Sequence, residues 1–150
     1  MVRLLLQYKG DPNAVFGEMK HTPLQMASRD GSKEMVELLL EQGADVNSPS
    51  AKKFGATALQ FAAIKGLLGI AYLLLENGAD VNAPPAEMGG RTALEGAAEH
   101  GRVDMVQLLL NAGANISQDQ GGQSQYENAA RRATENSHRA IRRLLESYHG

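Results

Sequence analysis

The chain has 150 residues, of which 43% are hydrophobic and 21% charged, with a formal net charge of −2. That is room for one ordinary domain with a core, and the near balance of charge excludes a global field drawing the chain to nucleic acid or an anionic membrane. With no cysteine, disulfides and thiolate metal sites are excluded.

The first residues, Met1-Val2-Arg3-Leu4-Leu5-Leu6, have neither the apolar length nor the small-residue cleavage site of a signal peptide. Leucine runs stop at three residues here and downstream, far short of a membrane span. A cytoplasmic setting, with the nucleus as an alternative, is therefore the expectation. Met1–Asn13 aligns with Met35–Asn47 at an offset of 34 and reads as the second helix of a unit whose first helix is missing. Val2, Leu5 and Leu6 then lack an upstream partner, as in a fragment of a longer array. Homodimerisation through that face is the alternative.

Downstream the chain repeats itself. Thr22-Pro23-Leu24-Gln25, Thr57-Ala58-Leu59-Gln60 and Thr92-Ala93-Leu94-Glu95 recur at a spacing of 35. A small-residue pair follows each (Ala27-Ser28, Ala62-Ala63, Ala97-Ala98), then Gly31, Gly66 or Gly101. A leucine triplet comes next (38–40, 73–75, 108–110), and then Gly43-Ala44-Asp45-Val46-Asn47, Gly78-Ala79-Asp80-Val81-Asn82 or Gly113-Ala114-Asn115-Ile116. The threonines suit helix N-caps, and Pro23 suits a first helical position. The small pairs leave a thin helix, and the first set of glycines marks a turn between two short helices. Val36, Leu39 and Leu40 form one apolar face, and Gly43, Gly78 and Gly113 end the second helix. Two helices this short cannot bury a core alone, so successive pairs must stack.

In these motifs the chain resembles an ankyrin-repeat array. The resemblance implies an all-α solenoid of stacked antiparallel helix pairs with projecting β-hairpin-like loops. It divides residues 1–150 into a partial repeat (1–13), three full repeats (14–47, 48–82 and 83–116) and a degenerate capping repeat (117–150). The family's histidine is replaced by Gln25, Gln60 and Glu95; glutamine can keep the turn-stabilising hydrogen bond, glutamate less readily. Lys20 stands where Gly55 and Gly90 stand later, so an irregular first hairpin is expected. The later connectors, with Pro49, Pro84 and Pro85, are longer than in the usual repeat of about 33 residues.

Residues 117–126 read as a polar loop. Beyond it Ala133, Ile141, Leu144 and Leu145 keep the core positions, with Arg131, Arg132, Arg139, Arg142 and Arg143 outside, as a solvent-facing cap requires. The chain's natural end is expected there. Glu127, Glu135 and Glu146 interrupt the arginines and no aromatic platform accompanies them, which argues against nucleic acid.

No phosphate-binding loop, nucleophile elbow or metal-spaced pair among His21, His100, His138 and His149 is present, so neither enzyme activity nor a cofactor is expected. Asn115-Ile116-Ser117 matches a glycosylation acceptor, but its place in the repeat accounts for it. Asn47 and Asn82 match an asparagine that intracellular hydroxylases modify in some members of the family, and a hairpin role alone would also explain them.

The resemblance implies a protein partner lying along the concave face of hairpin tips and inner helices. Carried over, the tip candidates are Met19, His21, Lys53, Phe54, Met88 and Arg91, among neighbours Glu18, Ala56 and Gly89. The helix candidates are Arg29, Asp30, Ile64, Lys65, Glu99 and His100. The repeat framework does not require apolar residues at Met19, Phe54, Ile64 or Met88, which makes them contact candidates. Folding of Phe54 and Met88 back onto neighbouring loops is equally open. A protein-interaction module is the leading reading; a structural spacer or self-associating scaffold segment is the alternative.

Overall fold

The computed structural model describes residues 10–116 and 124–149. Residues 1–9, on which the partial repeat and its dimerisation face were expected, lie outside the described residues, as does most of the polar loop. Among the described residues eight α-helices follow one another in pairs: α1 Pro23–Asp30 with α2 Lys33–Glu41, α3 Ala58–Lys65 with α4 Leu68–Glu76, α5 Ala93–Glu99 with α6 Val103–Asn111, and α7 Gln125–Glu135 with α8 Arg139–His149. The first helices of successive pairs stack closely, α1 on α3, α3 on α5 and α5 on α7, whereas the second helices touch less.

Local chemistry starts each pair. Thr22 Oγ1 accepts from the Gln25 amide at 3.3 Å, and the Gln25 side chain accepts in return from the Thr22 amide at 2.9 Å. The same reciprocal box forms between Thr57 and Gln60 and between Ser124 and Glu127. It satisfies two backbone donors that a helix start leaves unpaired. The turn between paired helices needs a left-handed residue, with φ of 78° at Gly31, 72° at Gly66 and 71° at Gly101. In the last pair Ser137 holds that conformation at φ 62°.

The core is a continuous seam rather than a centre. Leu24, Leu59 and Leu94 from the first helices, and Leu39, Leu74 and Leu109 from the second, are all sealed from solvent. Alanines at 62, 63, 97 and 98 let the first helices approach one another. In the last pair Ala133, Ile141 and Leu145 continue the seam, as their alignment requires. Burial of large aliphatic side chains is the main favourable term here, each contributing about 1.5–3 kcal/mol.

Polar side chains tie layer to layer. Gln25 Nε2 donates to the carbonyls of Ser48 and Pro49, both at 3.0 Å, and Gln60 Nε2 does the same to Ala83 and Pro84. Each buried glutamine thus caps its own helix and holds the loop leading to the next pair. Along the other end of the loops, Asn13 Oδ1 accepts from the Asp45 amide, Asn47 Oδ1 from Asp80 and Asn82 Oδ1 from Asn115, at 2.6–2.7 Å. Their amide groups donate to Gly43, Gly78 and Gly113. The hairpin role expected of Asn47 and Asn82 is therefore an inter-layer tie.

Ser28 breaks the pattern. It is 0% exposed and its Oγ has no hydrogen-bond partner, at the position where later pairs carry Ala63 and Ala98. A buried, unsatisfied hydroxyl is destabilising. Ser28→Ala should stabilise the fold by about 1 kcal/mol, raising the melting temperature by roughly 3 °C in thermal unfolding followed by circular dichroism. An unchanged or lowered midpoint would contradict the accounting at this position.

Candidate functional site

Three loops project from the helix layers ahead of α1, α3 and α5: finger 1 (14–21), finger 2 (48–56) and finger 3 (83–91). Finger 1 is a closed hairpin in which Phe16 and His21 exchange both backbone hydrogen bonds, at 2.9 and 3.2 Å. Its tip turns through Gly17 and Lys20, which takes φ 50°. The lysine does change the first finger, but opposite to expectation: finger 1 is the one with hairpin pairing.

Fingers 2 and 3 fold back more sharply. A Cβ at Gly55 would lie 2.4 Å from the Ala51 backbone, and one at Gly90 would lie 2.2 Å from that of Ala86. These fingers are joined to each other instead, by a parallel bridge between Lys53 and Met88. The Phe54 amide donates to the Met88 carbonyl at 2.8 Å, and the Met88 amide donates to Lys52 at 3.0 Å.

Of the tip candidates, Met19, Phe54 and Met88 are exposed by 46%, 66% and 51%. Phe54 takes φ 52°, a left-handed conformation that costs a bulky residue about 1–2 kcal/mol. The matching residue of finger 3 is Gly89, at φ 70°. The Phe54 ring lies against Gly89, where a Cβ would come within 2.5 Å of Cδ1, and its remaining surface faces solvent. One side of the ring thus folds back onto the neighbouring finger, and the rest is open to solvent.

His21 is a correction. It is only 4% exposed and packs edge-on against the Phe61 ring, with centroids 5.4 Å apart. Its backbone closes the hairpin, and its imidazole is buried against Phe61 where an exposed tip side chain was expected. Ala56 is likewise buried.

The helix candidates divide in two. Ile64 leans over Gly96, close enough that a Cβ there would lie 2.6 Å from Cγ1, while Lys65 and His100 are exposed. Arg29 and Asp30 pair with each other at 3.1 Å. Glu99 receives Arg91 Nε at 2.5 Å and Arg132 Nη1 at 3.2 Å. Hydrogen bonding to Arg91, with the charge of Arg91 and Arg132, holds its carboxyl below the usual carboxylate range despite partial burial. Arg91 and Glu99 are therefore committed within the chain. Arg132, expected on the outer face, faces inward, with its Nε also 3.9 Å from the buried Glu95. Two further cap arginines pair with glutamates one turn on, Arg131 with Glu135 and Arg142 with Glu146.

Sequence reasoning missed the space between fingers 1 and 2. A groove of about 650 Å³ opens there, with Val15, Met19 and Ala51 supplying apolar surface and Lys20, Lys52, Lys53 and Glu18 charge. The one signal available was length: Asn13 to Thr22 is one residue shorter than Asn47 to Thr57. Among the described residues, no group of three or more His, Asp or Glu is placed to hold a metal ion, and no helix is long and apolar enough to cross a membrane.

Comparison with known proteins bears on these layers directly. The family model described as ankyrin repeats (3 copies) matches residues 1–85 and 49–120. The chain is also 42% identical over 55 residues to a mouse (Mus musculus) protein described as ankyrin repeat and MYND domain-containing protein 1. That match covers 37% of this chain and 6% of the relative.

Burial against Phe61 lowers the pKa of His21 below its ordinary 6.5, and the positive charge of Arg29 lowers it further. The unfolded chain then binds more protons than the native one between the lowered value and 6.5, so stability rises with pH through that window. Urea midpoints should hold above pH 7 and fall as the pH drops through 6.5 towards the lowered value. His21→Phe should remove that part of the slope. Parallel pH profiles for the two proteins would contradict the assignment.

Proposed function

The chain belongs to the ankyrin-repeat family, and from that premise we propose that it captures a protein partner along the finger tips and the adjoining first helices. Ankyrin repeats are generally protein-interaction modules and typically lack enzymatic activity. The residues carrying the contact are Met19, Lys53, Phe54 and Met88 on the fingers, with Ile64, Lys65 and His100 on the helix surface behind them. Arg29 and Asp30 form its polar margin, and Arg91 and Glu99 act only by fixing the wall of finger 3.

The observation that carries this reading is Phe54. It is a bulky side chain in a strained backbone conformation, two-thirds exposed, where the next layer uses glycine. Strain of this kind persists where surrounding structure enforces it, and it concentrates at ligand-contacting positions. Exposed aromatic and methionine side chains are also the residue types that dominate interface energies. The mixed charges around them, Glu18, Lys53, Lys65 and Glu87, suit a protein surface rather than a uniformly charged polymer.

The reading keeps 14–47, 48–82 and 83–116 as the working repeats and 117–150 as the cap. A cytoplasmic or nuclear location suits a chain without cysteine.

The test is capture by the immobilised chain against a Met19→Ser, Phe54→Ser, Met88→Ser triple variant. Equal circular dichroism and loss of at least ten-fold of the specifically enriched proteins would support the surface. Unchanged enrichment would sink it and favour a spacer or self-associating segment.

A further inference from the structure

We propose that the groove between fingers 1 and 2 takes an extended acidic peptide segment, which adds as a strand to the open edge of finger 2. This rests on the protein-interaction reading and assigns it a location and a partner chemistry.

The backbone of finger 2 provides the edge. In a parallel bridge, the residue whose neighbours carry the hydrogen bonds points its own N–H and C=O to the opposite side. At the bridge to finger 3 those neighbours are Lys52, through its carbonyl, and Phe54, through its amide. The amide and carbonyl of Lys53 therefore face away from finger 3, towards finger 1. Finger 1 leaves them open: it closes on itself through Phe16 and His21, and among the described residues no backbone hydrogen bond joins it to finger 2. The missing pairing coincides with the 650 Å³ groove. An outward-facing backbone amide and carbonyl at a bridge residue beside an accessible trough can pair with an extended segment, with main-chain bonds supplying affinity and alternate side chains supplying selection.

The side chains define the occupant. Lys20, Lys52 and Lys53 line the groove against a single acid, Glu18, so the trough is locally positive although the whole chain is slightly negative. Lys52 has a loose ion pair with Glu87 at 3.8 Å, with both groups exposed, and an incoming carboxylate can compete with it. Val15, Met19 and Ala51 form the floor on which an apolar side chain would rest. Side chains of an extended segment alternate between two faces, so acidic and aliphatic residues in alternation satisfy both requirements at once.

The experiment uses the whole chain and a pool of capped heptapeptides with Asp or Glu alternating with Val, Leu or Phe. Binding is read by fluorescence anisotropy, and the Lys53 amide by hydrogen exchange. Affinity in the tens to hundreds of micromolar is expected, with protection of the Lys53 amide by at least ten-fold. Binding should weaken at least ten-fold in the exposed double variant Lys52→Glu, Lys53→Glu. N-methylation of alternate peptide nitrogens should abolish binding in one register and spare it in the other. Three results would each overturn the proposal: no peptide of the pool binding at millimolar concentration, binding without protection of Lys53, or equal tolerance of both methylation registers. The Met19, Phe54 and Met88 capture experiment is read independently, so failure here leaves the broader interaction surface standing or falling on its own result.

Discussion

The amide group of a buried glutamine is the constraint on which the rest depends. Gln25 and Gln60 each close the N-terminus of one helix and grip two carbonyls of the loop that begins the next layer. A pair of helices of eight and nine residues buries too little surface to stand alone, so stability must be shared between neighbours. The leucine and alanine seam supplies most of the energy but little direction, because apolar contact is not directional. The glutamine clamps and the asparagine ladder supply the direction. They fix the distance and angle at which one layer follows another, and so fix where the fingers stand.

Finger geometry follows from that placement and from loop length. Fingers 2 and 3 arise from equivalent clamps and have equal spans, so their edges meet in register at Lys53 and Met88. Finger 1 is one residue shorter and carries Lys20 in place of the glycine that allows the tight return at Gly55 and Gly90. It cannot fold as its neighbours do, and it closes as a hairpin. One substitution and one missing residue thus separate a zipped pair of fingers from an open groove.

The helical pairs were legible because their determinants are local and repeated: Thr22, Thr57 and Thr92 cap, Gly31, Gly66 and Gly101 turn, and the leucines keep one face. The candidate surface was legible in part. Met19, Phe54 and Met88 stand out since no packing rule asks for them, and they are exposed. His21 was misplaced because its burial depends on Phe61, which lies one repeat downstream and reaches it only after stacking. Arg132 faces inward for a similar reason: the carboxylates of Glu95 and Glu99 wait in the preceding layer. Glu95 occupies the clamp position without an amide to donate, and its carboxylate lies 3.9 Å from Arg132 Nε. Contacts between layers are invisible to periodicity, which reads one layer at a time.

The most direct test of the clamp is native-state hydrogen exchange on Gln60→Ala beside the unaltered chain. If the glutamine positions the next layer, protection should fall selectively in the first turn of α3 and in the amides of finger 3, including Met88. The helices on either side should keep theirs. Loss of protection spread evenly over all layers, or none in finger 3, would show that the apolar seam alone sets the register.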